Sequence, residues 1–394
     1  MPSASRQLSH WGHQLDSHWR RYRCVLNFTR YRRYRQWLLG QSRILPVDLT
    51  PERPLVVFDF VDTRIDGPQG RRFYHLFIFF VRAGFYPVIR ENYLFLHNME
   101  ARFKGYCCAE NFTVIARSAN INRPHVLVTD QLGKNHEAAV NAPHCLAKIN
   151  VDYTPGYSLG EAVFPLPFPM FPAIYKTGQD YQLGRYRAQA RQWRLLFGGD
   201  AHVEKYTKAS ISNIYQKLPR AKVLACVSTH LAAPLCVAPA NQAELADYLT
   251  STFAGLVLIN TRHCKIAPEC WLETLAKAHF FLACPGVRYP MSHNLIESLA
   301  VGSIPILQYP ELLFPPLENG KNCLVYANEG ELIALIERVI AMPAAEIDTL
   351  AKGAITYYEK HLAPEVVIQQ MLDSSCAEIK LRIMPSMKVG GGYV

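Results

Sequence analysis

The stretch Phe280-Phe281-Leu282-Ala283-Cys284-Pro285-Gly286-Val287-Arg288-Tyr289-Pro290-Met291-Ser292-His293-Asn294-Leu295-Ile296-Glu297-Ser298-Leu299-Ala300-Val301-Gly302-Ser303-Ile304-Pro305-Ile306 decides how the rest of the chain is read. An apolar strand ends at Pro285-Gly286, and a short loop carries Arg288. A helix opens near Ser292, an N-cap residue type. Gly302 allows the tight return into a second strand. A helix start exposes backbone N–H groups at a positive dipole end, which suits an anionic group such as phosphate. Glu297 falls about 1.4 helical turns past Ser292, within reach of a ribose diol next to that phosphate.

The same alternation extends in both directions. Leu55–Phe60 is an apolar run of the kind that forms a strand buried on both faces. Glycines 67 and 70 then precede a helix over Phe73–Ala83 and a strand over Tyr86–Arg90. Further strands are expected at Thr113–Ala116, Val126–Thr129 and Cys145–Val151. Four prolines within Phe164–Pro172 exclude regular structure there and mark a domain end. A polar, helix-prone segment at 179–192 leads into the strand Trp193–Gly199. Strands are expected at Lys222–Val227, Gly255–Ile259, Phe280–Ala283, Ser303–Gln308 and Asn322–Tyr326. Helices are expected at Lys205–Leu218, Gln242–Thr250, Glu269–Ala278, His293–Ala300 and Gly330–Ala341, with a long helical stretch after Ala344 broken near Pro364. Strands alternating with helices predict an α/β fold of two Rossmann-like domains with parallel sheets facing across a cleft, and a helical C-terminus. The domain boundaries are a leader over 1–50, an N-terminal domain over 51–175, a C-terminal domain over 176–375 and a tail over 376–394.

Composition narrows the function. A chain of 394 residues with 49% hydrophobic and 19% charged residues is globular and long enough for two cores. No apolar run is long enough to span a membrane, and the basic, aromatic N-terminus lacks the features of a signal peptide. The 11 cysteines show no CxxC pairing, and several lie within apolar runs, as buried reduced thiols do. These features predict a cytoplasmic protein. No P-loop and no Gly-x-Gly-x-x-Gly follows the first strand, which argues against nucleotide hydrolysis and dinucleotide redox chemistry. No Asp-x-Asp with a strand-end context occurs, so neither a resident metal nor another cofactor is expected.

The charge is unevenly placed. Residues 1–43 contain nine Arg, no Lys and one acid, Asp16, so eight of the chain's ten net positive charges lie there. Arg interleaved with Tyr and Trp over residues 19–39 suits a helix on an anionic membrane surface. It also suits stacking on nucleic acid, or a solvated extension docked on the body. The nearly neutral body argues against nucleic acid, because a dedicated binder carries a basic face on its fold.

The 280–306 stretch resembles the donor-site signature of GT-B glycosyltransferases, in particular the exostosin-like group. The pattern there is a Ser and a basic residue before Glu-Ala-x-x-x-Gly-x-Ile-Pro. Ser292, Glu297, Gly302, Ile304 and Pro305 match it; Ser298 replaces Ala, and Asn294 stands where Arg is common. Arg288 or His293 then supplies the missing charge. The resemblance spans residues 190–340 and implies a nucleotide-sugar donor held by Gly198, Gly199, Arg288, Ser292, His293, Asn294 and Glu297.

The catalytic candidates are three. Asp200 follows the turn Phe197-Gly198-Gly199, where a carboxylate would repel a diphosphate. It fits better as a nucleophile at an anomeric carbon, as in the similar bacterial CMP-Kdo transferases, or as an N-cap. His230, at the end of the expected strand Val223–Ser228, would emerge beside it as a proton shuttle. Asp130, after the strand His125–Thr129, can take the acceptor's proton, with Asp59, Asp62 and Glu161 as competitors. Together these features predict a glycosyltransferase on the inner face of the membrane, acting on a lipid-linked or polysaccharide acceptor of the cell envelope. The alternatives are a sugar-nucleotide epimerase of the same plan and an inactive glycan-binding scaffold.

Overall fold

The computed structural model describes residues 26–383 except 27, 42, 47–49, 62, 97–98, 100–101, 132–143, 153–162, 232–234 and 374–377, together with 388–389 and 392–393. Asp62, Glu161 and the leader residues 19–25 lie outside the described residues.

The described elements begin with helix α1 (Phe28–Gly40) and strand β1 (Leu55–Asp59). Helix α2 (Arg71–Arg82), β2 (Tyr86–Arg90), β3 (Thr113–Ile115), β4 (His125–Thr129), β5 (Cys145–Asp152) and β6 (Val163–Leu166) follow. The second series comprises β7 (Trp193–Gly199), α3 (Arg220–His230), β8 (Cys236–Val237), β9 (Phe253–Asn260) and β10 (Ala278–Leu282). It continues with α4 (His293–Val301), β11 (Ile304–Leu307), β12 (Leu324–Val325), α5 (Glu329–Ala341) and α6 (Ala344–His361). Helix α7 (Pro364–Asp373) and strand β13 (Glu378–Ile383) come last in the main fold.

The chain forms two compact units, one running to Leu166 and taking back Val367–Ile383, the other comprising Pro167–Val366. In the first, seven strands lie in the order β3-β2-β1-β4-β5-β13-β6; in the second, six lie in the order β12-β11-β10-β7-β9-β8. Every pairing in both sheets is parallel. The α/β class and the two parallel-sheet units expected from the alternation are therefore present. Each sheet also has a switch point, where successive strands leave to opposite sides: between β1 and β4 in the first unit, and between β7 and β10 in the second. Ligands of such sheets bind outside the carboxyl ends of the strands at that point.

The first core is aromatic. Phe58 on β1 contacts Phe73, Phe77 and Phe80 of α2 with centroids 5.5–6.0 Å apart. Gly70 enters α2 with φ +78, and a Cβ there would lie 2.4 Å from the Lys104 Cβ, so only glycine fits. The Lys104 ammonium is fully buried, bonded to Asp66 Oδ1 at 2.8 Å and to Phe95 O at 2.7 Å. In the second unit Leu195, Phe197, Leu256, Phe280 and Ile304 from the strands pack against Val223 and Val227 of α3 and Leu332 and Ile336 of α5.

Three expectations require correction. Residues Lys222–Val227 lie within helix α3 and do not form a strand. Their short apolar run has no decisive period, and the buried residues Val223, Val227 and Leu231 recur at helical spacing. The proline-rich segment does contain a strand, because β6 includes Pro165. It is an edge strand paired only with β13, where a missing N–H is tolerated. The segment given as a tail supplies β13, inserted between β5 and β6.

Leu381 of β13 is fully buried in the first sheet. Leu381→Ala is expected to destabilise the protein by about 2–5 kcal/mol, measured from urea unfolding midpoints.

Candidate functional site

The second unit brings most of the candidate residues to the carboxyl edge of its sheet. Strand β7 ends in Gly198-Gly199, and Asp200 follows. The Gly198 face is covered by Trp271: a Cβ at Gly198 would lie 2.6 Å from the indole Cη2. Asn294 of α4 donates from Nδ2 to the Gly198 carbonyl at 2.8 Å. The residue standing where arginine is common thus fixes the backbone of this turn.

Helix α4 opens at Ser292, in the extended conformation expected of an N-cap. Its hydroxyl does not cap the helix. Nearby, Tyr309 donates to the Ala283 carbonyl at 3.1 Å, so it holds the loop that follows β10. Arg288 is exposed on that loop. His293 donates from Nδ1 to the Pro169 carbonyl at 2.8 Å and packs between Phe168 and Phe171. The proline-rich segment is therefore bound to the first turn of α4.

Glu297 differs from its expected role. The side chain is 0% exposed, with Oε1 accepting the Phe171 N–H at 2.7 Å and Oε2 accepting the Trp271 indole N–H. A carboxylate closed to water and held by two protein donors is not presented to a ribose in this conformation. Burial pushes its carboxyl from 4.5 up to about 7, against the two N–H donors that favour the ionised form.

Asp200 accepts the His202 N–H at 2.9 Å and an ion pair from Lys205 at 2.9 Å. Partial burial pushes its carboxyl up, but the Lys205 ammonium and the His202 amide more than offset that, and the net direction is down. It is a turn-closing carboxylate with a paired charge. It does not cap the helix that follows, Ala209–Tyr215, whose N-cap position is Lys208 and which has no side-chain cap among the described residues.

His230 is not beside it. The residue ends α3, where Nδ1 lies 2.8 Å from the Cys226 carbonyl one turn back, a favourable place for a histidine. Arg220, at the other end of the helix, touches the Asp200 carbonyl. His230 is thus about 15 Å along the helix axis from this edge. Its expected position followed from the misread strand.

Asp130 belongs to the first unit, at the switch point of that sheet. Its Oδ1 accepts the Val61 N–H at 2.9 Å, which ties the end of β4 to the end of β1. The competitor Asp59 is held by Gln131 at 2.7 Å and by Arg90 at 3.5 Å.

Sequence reasoning missed Trp271 and Arg220. Neither carries a motif, and each acquires its place only through tertiary packing. Arg220 is 8% exposed, with Nε–H donating to Pro285 O at 3.1 Å and Nη1–H to Asp200 O at 3.0 Å. Lys208, Arg220, Arg262, Lys265 and Arg288 all lie on the loops and helix start of this edge, and none has a salt bridge among the described residues. Asp200, Glu204 and Glu269 lie on the same segments, with Asp200 paired to Lys205, so cations outnumber acids along this edge. Among the described residues no three His, Cys, Asp or Glu side chains converge as a metal site.

The Glu297 value sets a pH dependence. Because the folded state holds this proton more tightly than the unfolded chain, its contribution is full below about pH 4.5 and is lost as pH rises to about 7. The loss is on the order of 3 kcal/mol. Glu297→Gln is expected to remove that slope and, with one N–H left unaccepted, to be about 1–3 kcal/mol less stable at acid pH. Urea midpoints at about pH 5 and about pH 7.5 check both effects.

No protein-family model matches the chain, and no curated protein matches it in sequence. Among solved structures, the N-terminal domain of Candida albicans trehalose-6-phosphate phosphatase is similar over 82% of this chain and 96% of its own, at 9% identity and a TM-score of 0.40. Anabaena Alr3699/HepE, solved with UDP, is similar over 81% of this chain and 99% of its own, at 13% identity and a TM-score of 0.31. For S. aureus TarM, a mutant solved with fondaparinux, alpha-GlcNAc-glycerol and UDP, the shares are 63% and 55%, with 9% identity and a TM-score of 0.34. These likenesses are distant, and the chemistry of the site rests on this chain's own residues.

Proposed function

We propose that the protein is a GT-B glycosyltransferase that holds a nucleotide-sugar donor at the carboxyl edge of its second sheet. One observation supports this most. At the switch point between β7 and β10, a glycine turn and the start of α4, which has no side-chain cap, lie on an edge rich in cations that have no salt bridge among the described residues. Backbone amides, helix dipole and cations together suit a phosphorylated ligand.

The Asp200–Lys205 pair bears on the donor. With its charge balanced at 2.9 Å, Asp200 need not repel a diphosphate, so UDP- and GDP-sugars are candidates beside a CMP-sugar such as CMP-Kdo. In the retaining form of the reaction, Asp200 attacks the anomeric carbon, the nucleotide leaves, and the acceptor hydroxyl, losing its proton to solvent, then displaces the carboxylate. In the inverting form, a base takes the proton of an acceptor hydroxyl that attacks the anomeric carbon directly as the nucleotide leaves. The acceptor we favour is a lipid-linked or polysaccharide glycan of the cell envelope.

Helix α1 supports a surface role. Leu38 is buried and Arg35 pairs with Glu91 at 2.6 Å, so the helix docks through that side. Leu26, Phe28, Trp37 and Leu39 are exposed, as are Arg32 and Arg33. At 100° per residue, Phe28, Leu39 and Arg32 fall on one flank of the docked side and Trp37 on the other, with Arg33 outermost. No helix among the described residues is long and apolar enough to cross a membrane. We propose that these flanks bring the enzyme to an anionic lipid surface at the inner face.

Two measurements test these readings. UDP, GDP or CMP at about one hundred times its dissociation constant is expected to add about 2.7 kcal/mol of stability, read as a thermal shift. Asp200→Ala is expected to keep that shift and lose sugar transfer; normal turnover by the variant ends the nucleophile assignment, and no shift with any nucleotide in the parent favours the scaffold. Separately, co-sedimentation is expected with phosphatidylcholine vesicles only when they contain phosphatidylglycerol, weakened by salt and by Arg32→Glu with Arg33→Glu.

A further inference from the structure

Arg220 is a buried cation whose hydrogen-bond partners are neutral. It opens α3 directly after Pro219, and its guanidinium lies against the strand ends of the second sheet. Nε–H reaches the Pro285 carbonyl in the loop after β10, and Nη1–H reaches the Asp200 carbonyl in the turn after β7. Those strands flank the switch point, so one planar group bridges the two backbone segments where a ligand of this sheet binds. The Tyr206 ring lies beneath it, 3.9 Å from the guanidinium carbon to the centroid, with Phe197 at 5.9 Å.

No carboxylate lies within ion-pair distance of Arg220 among the described residues. The Asp200 side chain acts on it only at longer range, and is itself engaged by Lys205 and His202. A cation is costly to bury without a counter-charge. The arrangement therefore leaves a positive charge at the switch point that is met by two carbonyl dipoles and the Tyr206 ring, with the Asp200 carboxylate acting only at longer range. A lysine would not serve in its place: its ammonium lacks the rigid fork that engages two carbonyls at a set angle, and when buried it can shed its proton, whereas a guanidinium keeps its charge.

We propose that Arg220 is a positioning residue that fixes the spacing between the 198–200 turn and the 285–292 loop and supplies the charge to which an anionic ligand binds. The ligand half of this inference rests on the nucleotide-sugar reading; the spacing half does not. Amide exchange separates them. Ala201 N–H is bonded to Asn260 Oδ1, His202 N–H to Asp200 Oδ1, and Gly286 N–H to Pro290 O. All three belong to the bridged segments.

Hydrogen exchange on the parent, Arg220→Lys and Arg220→Ala, with nucleotide dissociation constants on the same proteins, is the test. Both variants are expected to exchange Ala201, His202 and Gly286 at least about tenfold faster while β9 and β11 keep their protection. Affinity for the nucleotide that stabilises the parent is expected to fall at least about tenfold in Arg220→Lys and further in Arg220→Ala. Free guanidinium at millimolar concentration is expected to recover part of the affinity in Arg220→Ala but not in Arg220→Lys, whose side chain fills the space. Parental exchange and affinity in Arg220→Lys would overturn the proposal. If the parent binds no nucleotide, the functional reading fails, and unchanged exchange in Arg220→Lys would still refute the bridge.

Discussion

The buried carboxylate of Glu297 is the constraint around which the second unit's site is built. With no access to water, it must be met by protein donors, and it has two: the Phe171 amide and the Trp271 indole. Holding Trp271 places its ring against Gly198, which is why no side chain fits at that position. Holding Phe171 brings the proline-rich segment against α4, where its Phe168 and Phe171 rings enclose His293. One desolvated carboxyl group thus fixes a strand end, a helix start and the chain entering the unit. A buried carboxylate this far from water is affordable only because both oxygens are engaged.

Both sheets use the same device at their switch points. In the first, Asp130 takes the Val61 amide and ties β4 to β1; in the second, Arg220 takes two carbonyls and ties the segments after β7 and β10. A parallel sheet leaves the backbone groups beyond its strand ends without ladder partners, and a long polar side chain can satisfy two of them at once. The sign of the tie differs. An acid serves the first unit and a guanidinium the second, which makes the second edge the one suited to an anion.

The elements were legible where period and length agreed. Leu55–Asp59, Arg71–Arg82, Tyr86–Arg90 and His293–Val301 follow from long apolar runs or clear helical spacing with glycine or serine at the ends. The reading failed at Lys222–Val227, six residues too few to separate a buried strand from the buried face of a helix. It failed again at Pro165, because an edge strand is defined by which neighbour is missing, and that is a property of the sheet.

The sequence by itself determined the class of fold, the strand-loop-helix segment over 280–306 and the glycine turn at 198–199, since each depends on local pattern and backbone freedom. It also placed most of the charge outside the body. Only the tertiary structure decided that Glu297 is buried, that His230 lies at the far end of its helix, that Asp200 is paired with Lys205, and that β13 completes the first sheet. Those outcomes depend on which side chains meet across tens or hundreds of residues. A carboxylate in sequence has the same formula whether it faces water or an indole N–H, and its role follows from which of the two it meets.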